Sequence, residues 1–176
     1  DIPVQHMDVI FLSMISYEVV AVFKVYKQIG QALTKLTTPL KQAVMPLFSE
    51  LVAKGKMKEC YDYLIKMRNK SLKILVPTVL AMTAGSVIFM HFALDELYVQ
   101  LWYILLAYLM LRAMALSYAS IHPLFVALGE VRKNFIYTLI ANAVYIALVW
   151  VTVPSLGIWA ILLGLLVEYF IIIFLK

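Results

Sequence analysis

Charge is scarce in this sequence. Only 14% of its 176 residues are Asp, Glu, Lys or Arg, against about 25% in a soluble domain. A chain 64% hydrophobic, with a mean hydropathy of +0.93, has too little polar surface to cover itself in water. The single cysteine, Cys60, excludes an internal disulfide, and its neighbours offer no metal-binding spacing. Phosphate-cradling glycine loops are missing, which argues against direct use of ATP. His6, His91 and His122 are scattered with no Ser, Asp or second His at a spacing that assembles a nucleophile or a metal centre, so each reads as a packing or interface histidine. No enzyme activity and no cofactor is expected. The chain opens on Asp1 without a basic-then-apolar leader ending in small residues, so no cleavable targeting segment is expected. It reads as beginning inside a longer protein.

What is present is a series of apolar runs near the roughly 20 residues a helix needs to cross the hydrocarbon layer. They lack the period-two alternation of a membrane barrel. The fold expected is therefore all-α: a polytopic transmembrane helix bundle in a single unit, with about five full spans and one truncated span. Residues 1–15 form the truncated span. Residues 18–52 form a long helix, with Pro39 and Pro46 as expected kinks. In residues 54–71, Met57, Cys60, Tyr61, Leu64 and Met67 recur at helical spacing, largely opposite Lys58, Asp62, Lys66 and Lys70. That pattern predicts an amphipathic linker helix lying on the membrane surface. Further spans are predicted over 72–94, 98–128, 135–153 and 158–175, with breaks at Gly129, Pro154 and Gly157.

The excess of basic residues, formally +5, sits in loops. Lys54, Lys56, Lys58, Lys66, Arg68, Lys70 and Lys73 share one loop and Arg132 and Lys133 another, which places both on the cytoplasmic side of a multi-pass cell-membrane protein. Asp95-Glu96 and Pro154 to Gly157 then face outside, and Lys176 inside. Anionic lipid headgroups, and not nucleic acid, are the expected counter-charge.

Polar side chains within spans carry the functional signal, because they are costly in hydrocarbon and face a bundle interior or a water-filled path. Advancing 100° per residue from Lys24 places Gln28, Gln31, Lys35, Thr38 and Gln42 within about 40° of one line. Lys27 and Thr34 flank this stripe and Lys41 lies further round. A helix greasy on one side and hydrogen-bonding plus cationic on the other is suited to lining a cavity. Ammonium groups suit phosphate, pyrophosphate or sugar carboxylates, and glutamine and threonine suit sugar hydroxyls. The competing reading has the lysines snorkelling to the interfaces while the glutamines join helices. Asp8, inside an apolar run, is a candidate to pair with a lysine, to carry a coupling proton, or to sit as a plain interfacial carboxylate. Arg112 and Glu168 lie mid-span and need an acceptor and a donor respectively, either each other or groups of the cavity.

Pro46-Leu47-Phe48-Ser49-Glu50-Leu51-Val52-Ala53-Lys54-Gly55 resembles the end of a long helix in polysaccharide-type flippases of the multidrug, oligosaccharidyl-lipid and polysaccharide exporter superfamily. Asp8, Met14 to Glu18 and Phe23 to Tyr26 are similar to that family's membrane aspartate, outer turn and aromatic helix start. Lys56 to Lys70 matches its cytoplasmic linker. Leu97-Tyr98-Val99-Gln100-Leu101 and Ala127-Leu128-Gly129-Glu130-Val131-Arg132-Lys133-Asn134 resemble an outer and an inner turn of the family. Asn142 and Leu156-Gly157-Ile158-Trp159-Ala160 complete the run. The chain departs from the pattern where Asp95-Glu96 replaces a glycine before the tyrosine and where Trp159 replaces a small residue.

The resemblance implies the later lobe of a two-lobed, alternating-access transporter, from a partial seventh span to the last. Such a protein flips a polyprenyl-pyrophosphate-linked oligosaccharide for surface polysaccharide such as O-antigen. It also implies an N-terminal lobe or a second copy as partner, beside the membrane lipids and the lipid-linked substrate. The alternatives are a drug or ion antiporter of the same superfamily, for which an acidic cavity is expected, a membrane-embedded glycan acyltransferase or polymerase using His91 or His122, or a non-catalytic assembly subunit.

Overall fold

The computed structural model describes residues 2–94 and 96–175, and of residues 2–6, 36, 40 and 41 the backbone alone. Asp95, Lys176 and the side chains of His6 and Lys41 thus lie outside the described residues. All regular structure among the described residues is helical: α1 (Ile2–Ser13), α2 (Tyr17–Ala53), α3 (Met57–Ala93), α4 (Glu96–Gln100), α5 (Trp102–Ser117), α6 (Ile121–Ala127), α7 (Val131–Leu156) and α8 (Ile158–Leu175). Four stretches are long and apolar enough to cross a membrane: α3, Trp102–Ala127, α7 and α8. Their outward surfaces are greasy, with Phe89 64%, Phe92 84%, Trp150 61% and Val151 73% exposed. Only lipid makes that surface tolerable in a chain with so little charge. The protein is a multi-pass, all-α membrane protein.

The fifth span expected, α2, has the length: its 37 residues rise about 55 Å at 1.5 Å each. Its polar stripe interrupts its apolar run, and its final part, Gln42–Ala53, is a shorter apolar stretch. The helix runs unbroken through Pro39 and Pro46. Ser16 caps its start, accepting from the Glu18 backbone N–H at 3.2 Å, which satisfies one of the donors a helix start leaves open.

Three boundaries differ from expectation. The linker helix over 54–71 and the span over 72–94 are one continuous helix, α3. The apolar line that suggested lipid contact is divided: Cys60 and Met67 are buried with Val44 and Phe48 of α2, Leu64 and Leu124 pack against them, and Met57 and Tyr61 stay exposed. Protein covers the Cys60 and Met67 part of this face. Accordingly the Cys60 thiol, 1% exposed, is expected to react with a maleimide at least about tenfold more slowly than a cysteine at the neighbouring position, since reaction waits on local opening. Labelling of the native chain beside Tyr61→Cys in a Cys60→Ser background checks this, and equal rates would place the face in open contact with its surroundings.

The span over 98–128 is broken into α4, α5 and α6. Pro123 has no N–H to donate and its ring crowds the carbonyl four residues back, and the chain turns at Tyr118 to Ser120 just before it. At the other end of the chain α7 does not stop at Pro154 but continues to Leu156, and the break falls at Gly157, whose φ of +58° only glycine adopts without strain.

Helix α2 is central, touching α1, α3, α5 and α6, while α7 and α8 form a close pair against α1 and α5. The main core gathers Phe11, Phe23, Leu33, Val79, Leu105, Leu109, Val149 and Ile161. The Arg68 guanidinium of α3 lies over the ring of Tyr118, in the turn between α5 and α6, at 5.7 Å. Near the starts of α5 and α8 Tyr103 stacks on Trp159 at 6.0 Å, and Tyr26 of α2 donates to the Tyr98 carbonyl of α4 at 2.8 Å. Exposed pairs Lys54–Glu50, Lys56–Glu59 and Lys133–Glu130 contribute little to stability.

Candidate functional site

Lys24, Gln28, Gln31, Lys35, Thr38 and Gln42 are all exposed, so the stripe is one face of α2 turned away from the rest of the chain. Thr38 donates to the Thr34 carbonyl at 3.2 Å. The other five side chains form no hydrogen bond or ion pair with any described residue. Gln28 stands at the edge, in a 360 Å³ cleft between α2 and α3 with Met82, Gly85, Ser86 and Phe89. None of the three glutamines bonds another helix among the described residues.

The next face of α2 turns inward. Lys27 and Thr34 line a second, larger cavity of 610 Å³, walled by α1, α2, α5, α6, α7 and α8. Here Asp8 is 7% exposed. It accepts from Lys27 Nζ at 2.7 Å and from the Tyr145 hydroxyl at 2.5 Å. Of the roles open to Asp8, the pairing with a lysine is the one formed, and the lysine is the one that flanks the stripe. The charge-assisted contacts are short and directional, and they tie α1 to α2 and α7.

Arg112 and Glu168 line the same cavity without forming an ion pair with each other. Arg112 Nη1 donates to the Tyr169 hydroxyl at 3.5 Å, its guanidinium lies 5.7 Å from the Tyr108 ring centre, and its Nε has no acceptor. Glu168, 9% exposed, makes no hydrogen bond to a described residue. His122 also lines this cavity, its Nδ1 2.7 Å from the Asn134 amide nitrogen. The amide donates to the ring, while Asn134 Oδ1 is buried without a donor. Among the described residues no three of His, Cys, Asp and Glu converge as a metal site would need.

Sequence reasoning missed the tyrosines and the polar face of α7. Asn134, Thr138, Asn142 and Tyr145 recur at intervals of three and four residues, which is one helix face. That signal was readable, but hydropathy counts Tyr145 as apolar and hides its hydroxyl. No protein-family model, no curated protein and no solved structure matches this chain.

Proposed function

We propose that this chain is one lobe of a transporter that flips a polyprenyl-pyrophosphate-linked oligosaccharide across the cytoplasmic membrane by alternating access. The observation that carries the reading is the exposed face of α2, on which Lys24, Gln28, Gln31, Lys35, Thr38 and Gln42 stand in line in a helix otherwise surrounded by lipid-facing spans. Such a face is costly against hydrocarbon unless water, a second lobe or another copy covers it. Two ammonium groups and three amides along it offer donors to pyrophosphate and both donors and acceptors to sugar hydroxyls. The lipid tail remains in the bilayer, beside the apolar surfaces of the neighbouring helices. A drug-cation antiporter fits less well, because the stripe is cationic and the carboxylate of Asp8 is engaged by Lys27.

Replacing both lysines, Lys24→Ala with Lys35→Ala, is expected to lower the surface glycan made by cells dependent on this protein at least about tenfold. Losing two charge-assisted contacts in a partly dehydrated path has that effect. The protein's abundance in the membrane should not change, since neither side chain has a partner among the described residues. Unchanged glycan export by the double variant would sink the proposal.

A further inference from the structure

The 610 Å³ cavity carries four formal charges on its walls, Asp8, Lys27, Arg112 and Glu168, and they sum to zero. Two of the four answer each other, since Lys27 bonds Asp8 at 2.7 Å. The other two form no ion pair or hydrogen bond with each other, although the Arg112 charge is felt at Glu168 across the cavity. Arg112 turns to the phenols of Tyr169 and Tyr108 and keeps a buried Nε without an acceptor, while the buried Glu168 has no hydrogen-bond donor among the described residues. An unanswered charge in a low-dielectric interior is among the costliest features a fold can hold. Here a positive and a negative one line the same space.

A simple anion would satisfy Arg112 and leave Glu168 facing a second negative charge. A simple cation would do the reverse. A molecule with one charge of each sign satisfies both and leaves the cavity neutral. We propose that this cavity binds a small zwitterion, its phosphate or carboxylate on Arg112 and its ammonium on Glu168. The guanidinium offers a planar fork to an oxyanion, and an ammonium offers three donors to a carboxylate. The buried Asn134 Oδ1 supplies a further acceptor, to an N–H or a hydroxyl. The volume suits a compact polar molecule. The same chemistry comes from two sources: a soluble aminophosphate or amino acid, or a lipid headgroup entering from the bilayer past the exposed Val131 and Phe135, which lie on the cavity wall.

The site shares no residue with the α2 stripe, so its failure and that of the transport reading are separable. The test is titration of the full chain, in detergent, with O-phosphoethanolamine and with glycine, against inorganic phosphate and ethanolamine. At least one of the two zwitterions is expected to bind at least about tenfold more tightly than either half, because both charges contribute. Arg112→Gln and Glu168→Gln should each weaken that binding about tenfold or more, and the Lys24→Ala, Lys35→Ala double variant should not affect it. Nanodiscs containing phosphatidylethanolamine or phosphatidylglycerol distinguish the sources. Retention of phosphatidylethanolamine alone, lost in both cavity variants, would identify the headgroup as occupant, and binding of the soluble probes alone would identify a free metabolite. Phosphate binding as well as the zwitterions, or binding indifferent to Glu168→Gln, overturns the proposal, as does an absence of binding in both arms. The comparison among probes uses the unaltered chain, so a variant that fails to fold does not decide it.

Discussion

Replacing Asp8 by alanine is expected to lower the free energy of unfolding by about 3–5 kcal/mol, the usual result of removing one partner from a buried ion pair. The carboxylate is 7% exposed and holds both Lys27 at 2.7 Å and the Tyr145 hydroxyl at 2.5 Å, so its loss takes the counter-charge from one side chain and the acceptor from the other. Removing the lysine charge as well, in Asp8→Ala with Lys27→Met, should recover most of the loss, because an apolar pair of similar volume often replaces a buried ion pair at little cost. Tyr145→Phe removes one hydrogen bond and is expected to cost only about 1 kcal/mol. Trp150 stands edge-on to Phe11 at 6.0 Å, three residues from Asp8, and its fluorescence reports the transition in mixed micelles with increasing dodecyl sulfate. A double variant no more stable than Asp8→Ala would show that the stability of this corner comes from packing and not from the pair.

Asp8 and Lys27 also show how far the sequence can be read. They lie on either side of the Met14–Ser16 turn, 19 residues apart. Two antiparallel helices joined by a short turn bring residues at similar distances from it face to face. A lysine partner for Asp8 was therefore legible, but Asp8 stands six residues before the turn and Lys27 eleven after it, so the choice of Lys27 over Lys24 depends on how α2 is rotated and was not legible. Tyr145, 137 residues further on, was not legible, since nothing local to α1 says which later helix closes over it. The same holds for Arg112 and Glu168. Their mid-span positions announce that each needs a partner, but whether they meet depends on how α5 and α8 are rotated, a property of the packed bundle.

The spans themselves were legible because hydrophobic length is a local property. Their ends were less so. Lys58, Asp62, Lys66 and Lys70 opposite Cys60, Leu64 and Met67 give the same pattern whether the apolar side meets lipid or another helix, and here it meets Val44 and Phe48. The stripe on α2 needed only helical periodicity, and its six residues do share one exposed face. The cavity beside it needed six helices to close around residues no single stretch brings together.

Glycine substitutions separate the two kinds of helix surface in this fold. A Cβ added at Gly85 meets nothing within 4 Å, so Gly85→Ala is expected to stabilise by up to about 1 kcal/mol through helix propensity alone. At Gly164 the sign reverses. There a Cβ would stand 2.6 Å from Val149 Cγ2 and 2.8 and 2.9 Å from the Tyr145 ring, closer than any relaxed contact. Neither neighbour can give way easily: Val149 is fully buried and β-branched, with one favoured rotamer in a helix, and Tyr145 is held by its bond to Asp8. Small residues let membrane helices approach at such points. Gly164→Ala is therefore expected to destabilise, and Gly164→Val to cost about 3 kcal/mol, the upper part of the range for overpacking a buried contact. Because the displaced ring is the one that donates to Asp8, adding Tyr145→Phe to Gly164→Val should cost less than Tyr145→Phe alone, a coupling that a double-mutant cycle measures. If Gly164→Ala instead stabilises as Gly85→Ala does, α7 and α8 do not approach this closely in the membrane.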